Sequence, residues 1–190
     1  MKSIIYISFI LVDTKNKSLI INNLNLKNMT NLKFTTAMVT ETLQVWCDNI
    51  VAVGKVHSEG GDVRAIVNKV LTDNYDYDSG KVLFKPTLTS GEQTFRATKD
   101  GAVSYFIGGD SNFPNDTGFK LKPWVKAWFT EEDYILHDNL AIVQCNIHLI
   151  GENGDQVFVN KSFVFKICTD ERIRIVLHHS SLPFVPESLS

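Results

Sequence analysis

From Phe34 onward the apolar residues Val39, Leu43, Trp46, Ile50 and Val53 recur at spacings of four and three, the period of one buried helix face. The pattern predicts a long helix that breaks at "SEGGD". Asp62 then caps a second helix that carries Val63, Ile66, Val67, Val70 and Leu71 on one side. A third, short helix is predicted at "DGAVSYFI", ended by Gly108 and Gly109. Between and after these helices the period changes to two. "KVLFKPTL" and "QTFRAT" read as short strands, with Pro86 placing the first at an edge or a bulge. Phe119, Leu121, Val125, Ala127 and Phe129 then alternate with Lys120, Lys122, Trp124, Lys126 and Trp128, which predicts a strand with one face toward a core. "NLAIVQCNIHLI", "QVFVNKSFVFKI" and "RIRIVLHH" follow as strands, the first two joined at "GENGD" and the last two at "CTDE". Helices first and an antiparallel meander afterwards make an α+β domain.

Composition narrows the picture. The 190 residues, 44% of them hydrophobic, suffice for one core. The net charge is −2 and the 19 Lys and Arg residues are scattered, which argues against nucleic acid as a partner. Cys47, Cys145 and Cys168 stand far apart with no metal-ligand spacing and read as buried thiols, so neither a metal nor another cofactor is expected. "MKSIIYISFILV" has the length of a signal-peptide core and is too short to span a bilayer. No A-x-A cleavage site follows it, and Met29 would make a natural start. Residues 1–30 are therefore expected to be a signal-like or disordered extension, and 31–190 a single domain. The domain is expected in the cytoplasm if the chain starts at Met29, and outside it if residues 1–30 act as a signal.

The stretches "GGDVRAI", "YDYDSGKVLFKPT", "YFIGGD", "GFKLKPW" and "IVLHHSSLPF", in that order, resemble the nuclear transport factor 2-like superfamily. Within it they resemble the SnoaL-like and calcium/calmodulin-dependent protein kinase II association-domain branch. The resemblance implies a cone: N-terminal helices held in a strongly curved antiparallel sheet. The association domains carry arginines that bind small carboxylates at positions falling near Asn146 and Val164. The match fails there.

His178 and His179 cannot both enter one pocket from a regular strand, where neighbours face opposite ways. By parity His179 travels with Ile173, Ile175 and Leu177, and His178 with Arg172, Arg174 and Val176. Gln144, Asn146 and His148 form a polar row that suits a pocket, an interface or a solvated face. A carboxylate base of the ketosteroid isomerase type would fall to Asp76, Asp78 or Asp110, with Tyr75, Tyr77 or Tyr105 as donor. Those aspartates sit in turn-like contexts. Nothing resembles the strained GxSxG elbow of a nucleophilic serine. The reading reached is a homo-oligomerising cone domain, without established catalysis, pairing as a homodimer or larger ring through the sheet face of Lys120, Lys122, Trp124, Lys126 and Trp128. A small organic ligand would sit among Trp46, Tyr77, Phe84, Arg96, Tyr105, Asn146 and His148, with Phe95 and Trp124 as further aromatic lining. The alternative is an isomerase, cyclase or hydratase acting on a hydrophobic carbonyl compound, with His148 or His178 as acid and base.

Overall fold

Helix α1 (Thr36–Ser58) starts where the Thr35 hydroxyl accepts from Met38 N at 3.3 Å, and its predicted stripe from Val39 to Val53 is fully buried. Helix α2 (Val63–Asn74) is capped by Asp62, whose carboxylate accepts from Ala65 N at 2.9 Å. Strand β1 (Leu83–Lys85) ends at Pro86. Helix α3 (Lys99–Ile107) is capped by Thr98 and buries everything from Gly101 to Phe106. The long strands β2 (Trp124–His137), β3 (Leu140–Gly151), β4 (Gln156–Ile167) and β5 (Ile173–Ser181) complete the chain. The structure, a computed structural model, describes residues 32–186. The predicted extension at residues 1–30 lies outside them.

The sheet runs β1-β5-β4-β3-β2, with β2 to β5 antiparallel and β1 added in parallel to β5. The expected α+β cone is therefore the observed fold, though its sheet is mixed rather than purely antiparallel. Ala141, Val143, Ile147 and Leu149 of β3 and Val159, Phe163 and Phe165 of β4 face the helices and meet Leu43, Trp46 and Ile50 of α1 in one core. Burial of each such large side chain stabilises the fold by roughly 1.5–3 kcal/mol.

Local expectations fail where a polar side chain turns inward. "QTFRAT" is not a strand: Gly91–Gln93 forms a 3-10 turn, and a single sheet-like bond, Arg96 N to Phe84 O at 2.8 Å, follows it. Arg96 is drawn into the interior by Asp116, which holds its guanidinium at 2.7 Å with both side chains 2% exposed. The strand predicted from Phe119 is likewise shorter. Phe119–Leu121 is a 3-10 turn and β2 begins at Trp124. The supposed outward row is consequently split: Lys120 and Trp124 are buried in the core while Val125, expected inside, is 55% exposed.

The largest departure concerns β5. Leu177 pairs with Val164 but Ile175 pairs with Phe165, so Val176 forms a bulge. A bulge adds one residue and shifts which side chains face inward. Ile175 is buried before it, and His178 and Ser180 after it, while His179 is exposed. The parity that grouped His179 with Ile175 is thereby overturned.

Candidate active site

Two groups of polar side chains are brought together inside the cone. In the first, Thr87 Oγ1 and Ser180 Oγ lie 2.6 Å apart. Thr87 follows Pro86 directly after β1, and Ser180 is wholly buried on the inward phase of β5. The pair is held because β1 lies parallel to β5 and Lys85 Nζ ties the two, donating to Ser180 O at 3.0 Å and Thr87 O at 3.4 Å. Beside them Tyr105 Oη of α3 accepts from Leu88 N at 3.4 Å, and burial pushes its phenol up to about 12. Thr87 also lines a cavity of about 530 Å³ whose other walls include Phe119, Leu121, Trp124, Val159 and Leu182.

The second group centres on His178, which is 1% exposed. Its Nδ1 lies 3.0 Å from Tyr75 Oη and its Nε2 2.9 Å from Lys161 Nζ, while Trp46 Nε1 donates to the same Tyr75 hydroxyl at 3.2 Å. Phe84 stacks on the imidazole at 4.6 Å and meets Tyr105 edge-on at 5.9 Å, so one ring spans both groups. Burial first, then the cations Lys161 and Lys120, hold His178 well below its ordinary value, so the ring is uncharged. Burial likewise brings both lysines down to about 7. Lys120 Nζ sits 4.5 Å over the Phe106 ring, and Lys161 Nζ 4.5 Å over Trp46. Tyr75 is raised by burial and remains protonated.

The pocket expected from sequence divides between the two faces of the sheet. Trp46, Phe84 and Tyr105 are in the cone. Tyr77 stacks on Tyr75 at 5.9 Å and donates to Arg96 O at 2.9 Å, and Arg96 itself is consumed by Asp116. Asn146 and His148 do not belong with them. They lie on the outer face of β3, where Asn146 bonds Glu131 and Asn160. His148 there bonds Thr130 at 2.7 Å and stacks between Trp128 and Phe158. The reason is parity: Cys145, Ile147 and Leu149 are buried, so their neighbours point away. Phe95 is 69% exposed and lines a groove on that outer face with Gln144, Asn146 and Ser162. Of the carboxylate bases considered, Asp76 is buried against Lys166 at 2.8 Å, Asp110 accepts from Asn112 N, and Asp78 is exposed. Among the described residues no three of His, Cys, Asp and Glu converge as a metal site would require, and no helix is long and apolar enough to cross a membrane.

Sequence reasoning passed over Thr87 and Lys161, set Ser180 aside as a nucleophile and placed Lys120 on an outward sheet face. For Lys161 a signal was there: it occupies the odd, apolar phase of β4 with Val157, Val159, Phe163 and Phe165. Ser180 and Lys120 gave none, because a bulge and a 3-10 turn reset their phase.

A family model of metal-independent carbonic anhydrases matches residues 37–182. A metal-independent carbonic anhydrase of Nostoc sp. (strain PCC 7120 / SAG 25.82 / UTEX 2576) is 35% identical over 156 residues, 81% of this chain and 76% of the relative. The crystal structure of a cyanobacterial iota-carbonic anhydrase complexed with bicarbonate superposes with a TM-score of 0.79 at 34% identity, covering 81% of this chain and 95% of that one. A putative calcium/calmodulin-dependent protein kinase II association domain from Xanthomonas campestris has a TM-score of 0.53 at 21% identity, covering 81% and 90%, and so shares the fold alone. The cone fold expected from sequence is thus supported and the branch is corrected. The non-catalytic association domain and its isomerase alternative are both overturned by the family match and the bicarbonate-bound neighbour. The chain belongs to the metal-independent carbonic anhydrase family.

Proposed function

We propose that this chain interconverts carbon dioxide and bicarbonate inside its cone, at the hydroxyls of Thr87 and Ser180 and with no metal in the reaction. The observation that carries the reading is the 2.6 Å Thr87–Ser180 pair, whose Thr87 lines an apolar cavity and whose Ser180 lies two residues along β5 from an uncharged histidine. Carbon dioxide is apolar and suits the walls formed by Phe119, Val159 and Leu182. Hydroxyls both donate and accept, so Thr87, Ser180 and Tyr105 can orient a water and then hold the oxygens of the product. In hydration the water oxygen forms a bond to carbon, one C=O electron pair moves onto oxygen, and one proton leaves. The negative charge that develops lies beside Lys85, whose Nζ donates to Ser180 O and Thr87 O. The family match and the bicarbonate found in the cyanobacterial neighbour support the same reading.

Stopped-flow hydration of carbon dioxide by the chelator-treated full chain tests it. The wild type is expected to exceed the buffer rate, and Thr87→Ala or Ser180→Ala to lose about 100-fold, the effect of removing one donor to a developing oxyanion. A wild type no faster than buffer, or variants as fast as wild type, would overturn the proposal.

A further inference from the structure

The hydrogen-bond chain from Lys161 through His178 to Tyr75 has two arrangements that differ by one proton. Tyr75 Oη has one hydrogen and two lone pairs, and the indole of Trp46 can only donate, so one lone pair is always taken. With Lys161 as an ammonium, Nζ donates to Nε2. The neutral imidazole then carries its hydrogen on Nδ1 and donates to Tyr75, and both tyrosine lone pairs are filled. The phenolic hydrogen must then find a third partner, and none is within bonding distance among the described residues. With Lys161 as an amine the direction reverses: Nε2–H donates to Nζ, Tyr75 donates to Nδ1, and the free lone pair of Tyr75 can accept from a water.

We infer that Lys161 is a positioning residue that fixes the tautomer of His178 and, through His178 and Tyr75, takes up the proton released when water attacks carbon dioxide. The inference rests on the cone being the site of that reaction. In the hydration step the water held by Thr87, Ser180 and Tyr105 loses a proton as its O–H bond breaks, and the proton enters the chain at the free lone pair of Tyr75. Tyr75 passes its own hydrogen to Nδ1, Nε2–H passes to Lys161, and a new N–H bond leaves the charge on the lysine. Reversal returns the proton for dehydration of bicarbonate.

The surroundings of Lys161 suit a group that changes charge. Cys145 across the β3 register and Cys47 on α1 face it as thiols, both pushed up to about 12 by burial, and among the described residues no carboxylate bonds it. Lys120 and Lys85 are the charged groups nearby, and both disfavour its ammonium. The amine and the ammonium are consequently both accessible near neutral pH.

Nitrogen-15 NMR of the histidine rings in the full chain tests this between pH 5 and 9. His178 of the wild type is expected to be protonated on Nε2 at high pH and to switch to Nδ1 as Lys161 gains its proton, staying uncharged throughout. Lys161→Arg, whose guanidinium keeps its charge, is expected to lock the Nδ1–H form at every pH. It should also lower turnover about 100-fold, in line with the loss of a general base. Lys161→Met should abolish the switch. A wild-type His178 that keeps one tautomer, or titrates as an imidazolium, overturns the inference, as does a Lys161→Arg variant with wild-type turnover and pH profile. The wild-type spectrum decides the tautomer question even if the variants fail to fold. Absence of hydration by the wild type would instead remove the proposed reaction while leaving the tautomer result readable.

Discussion

Two histidines, His148 and His178, looked equally suited to proton transfer in the sequence, and the structure separates them by one sheet thickness. His178 is enclosed by Trp46, Tyr75, Phe84 and Phe163, whereas His148 lies in an aromatic stack on the outer face. His178→Gln is therefore expected to lower carbon dioxide turnover by about 100-fold, and His148→Ala to leave it at the wild-type rate. Stopped-flow assays of the two variants check this, and a selective loss in His148→Ala would contradict the placement. At this scale the burial of Trp46, Phe84 and Tyr105 was legible, because large apolar residues at core spacing have one place to go. The hydroxyls were not. A buried Ser180 and an exposed His179 are adjacent polar residues whose difference lies only in the phase of the strand.

Among the elements, the helices were legible to within a residue or two, since a 3.6-residue stripe marks α1 and α2 and Asp62 caps the second. The segments that carry Arg96 and Lys120 were not, because tertiary partners override their local alternation. Arg96 and Asp116 clamp the connection between α3 and β2, with Ser104 of α3 donating to the second Asp116 oxygen at 2.7 Å and Phe113 lying 4.6 Å from the guanidinium. Two residues later Gly118 (φ 84°) starts the turn that buries Lys120. Asp116→Ala leaves a buried guanidinium unpaired and is expected to cost about 3–5 kcal/mol. That lowers the melting temperature by roughly 10 °C for a chain of this size. A thermal melt followed by tryptophan fluorescence checks it, and an unchanged midpoint would show that the clamp carries no net stability.

Over the whole molecule, the fold was legible and the activity was not. The order of helices and strands points to the cone, but the same cone serves unrelated chemistries. What distinguishes this one is a set of inward polar groups drawn from β1, α3, β4 and β5 and from the turns between elements. Those groups also set the response to pH. Lys120 and Lys161 are lowered to about 7 and His178 is lowered further, all chiefly by burial. The unfolded chain binds protons on these bases more tightly, so raising the pH favours the folded state. His178 contributes as pH rises through roughly 6.5, and each lysine adds up to about 1.4 kcal/mol per pH unit above 7. The gain ends near pH 8.5, where Cys47 and Cys145 start to ionise in the unfolded chain but not in the fold. Urea midpoints are accordingly expected to increase from pH 6 to pH 8.5. A flat or falling trend would mean that the buried lysines keep their charge at neutral pH.

The central claim is that paired hydroxyls in the cone carry out carbon dioxide hydration without a metal, and exchange of oxygen-18 between bicarbonate and water tests it most directly. The account predicts that the full chain accelerates the exchange in the presence of excess chelator and that Ser180→Ala, folded as judged by circular dichroism, does so about 100-fold less. Equal exchange by the two proteins, or none above buffer by the wild type, would contradict it.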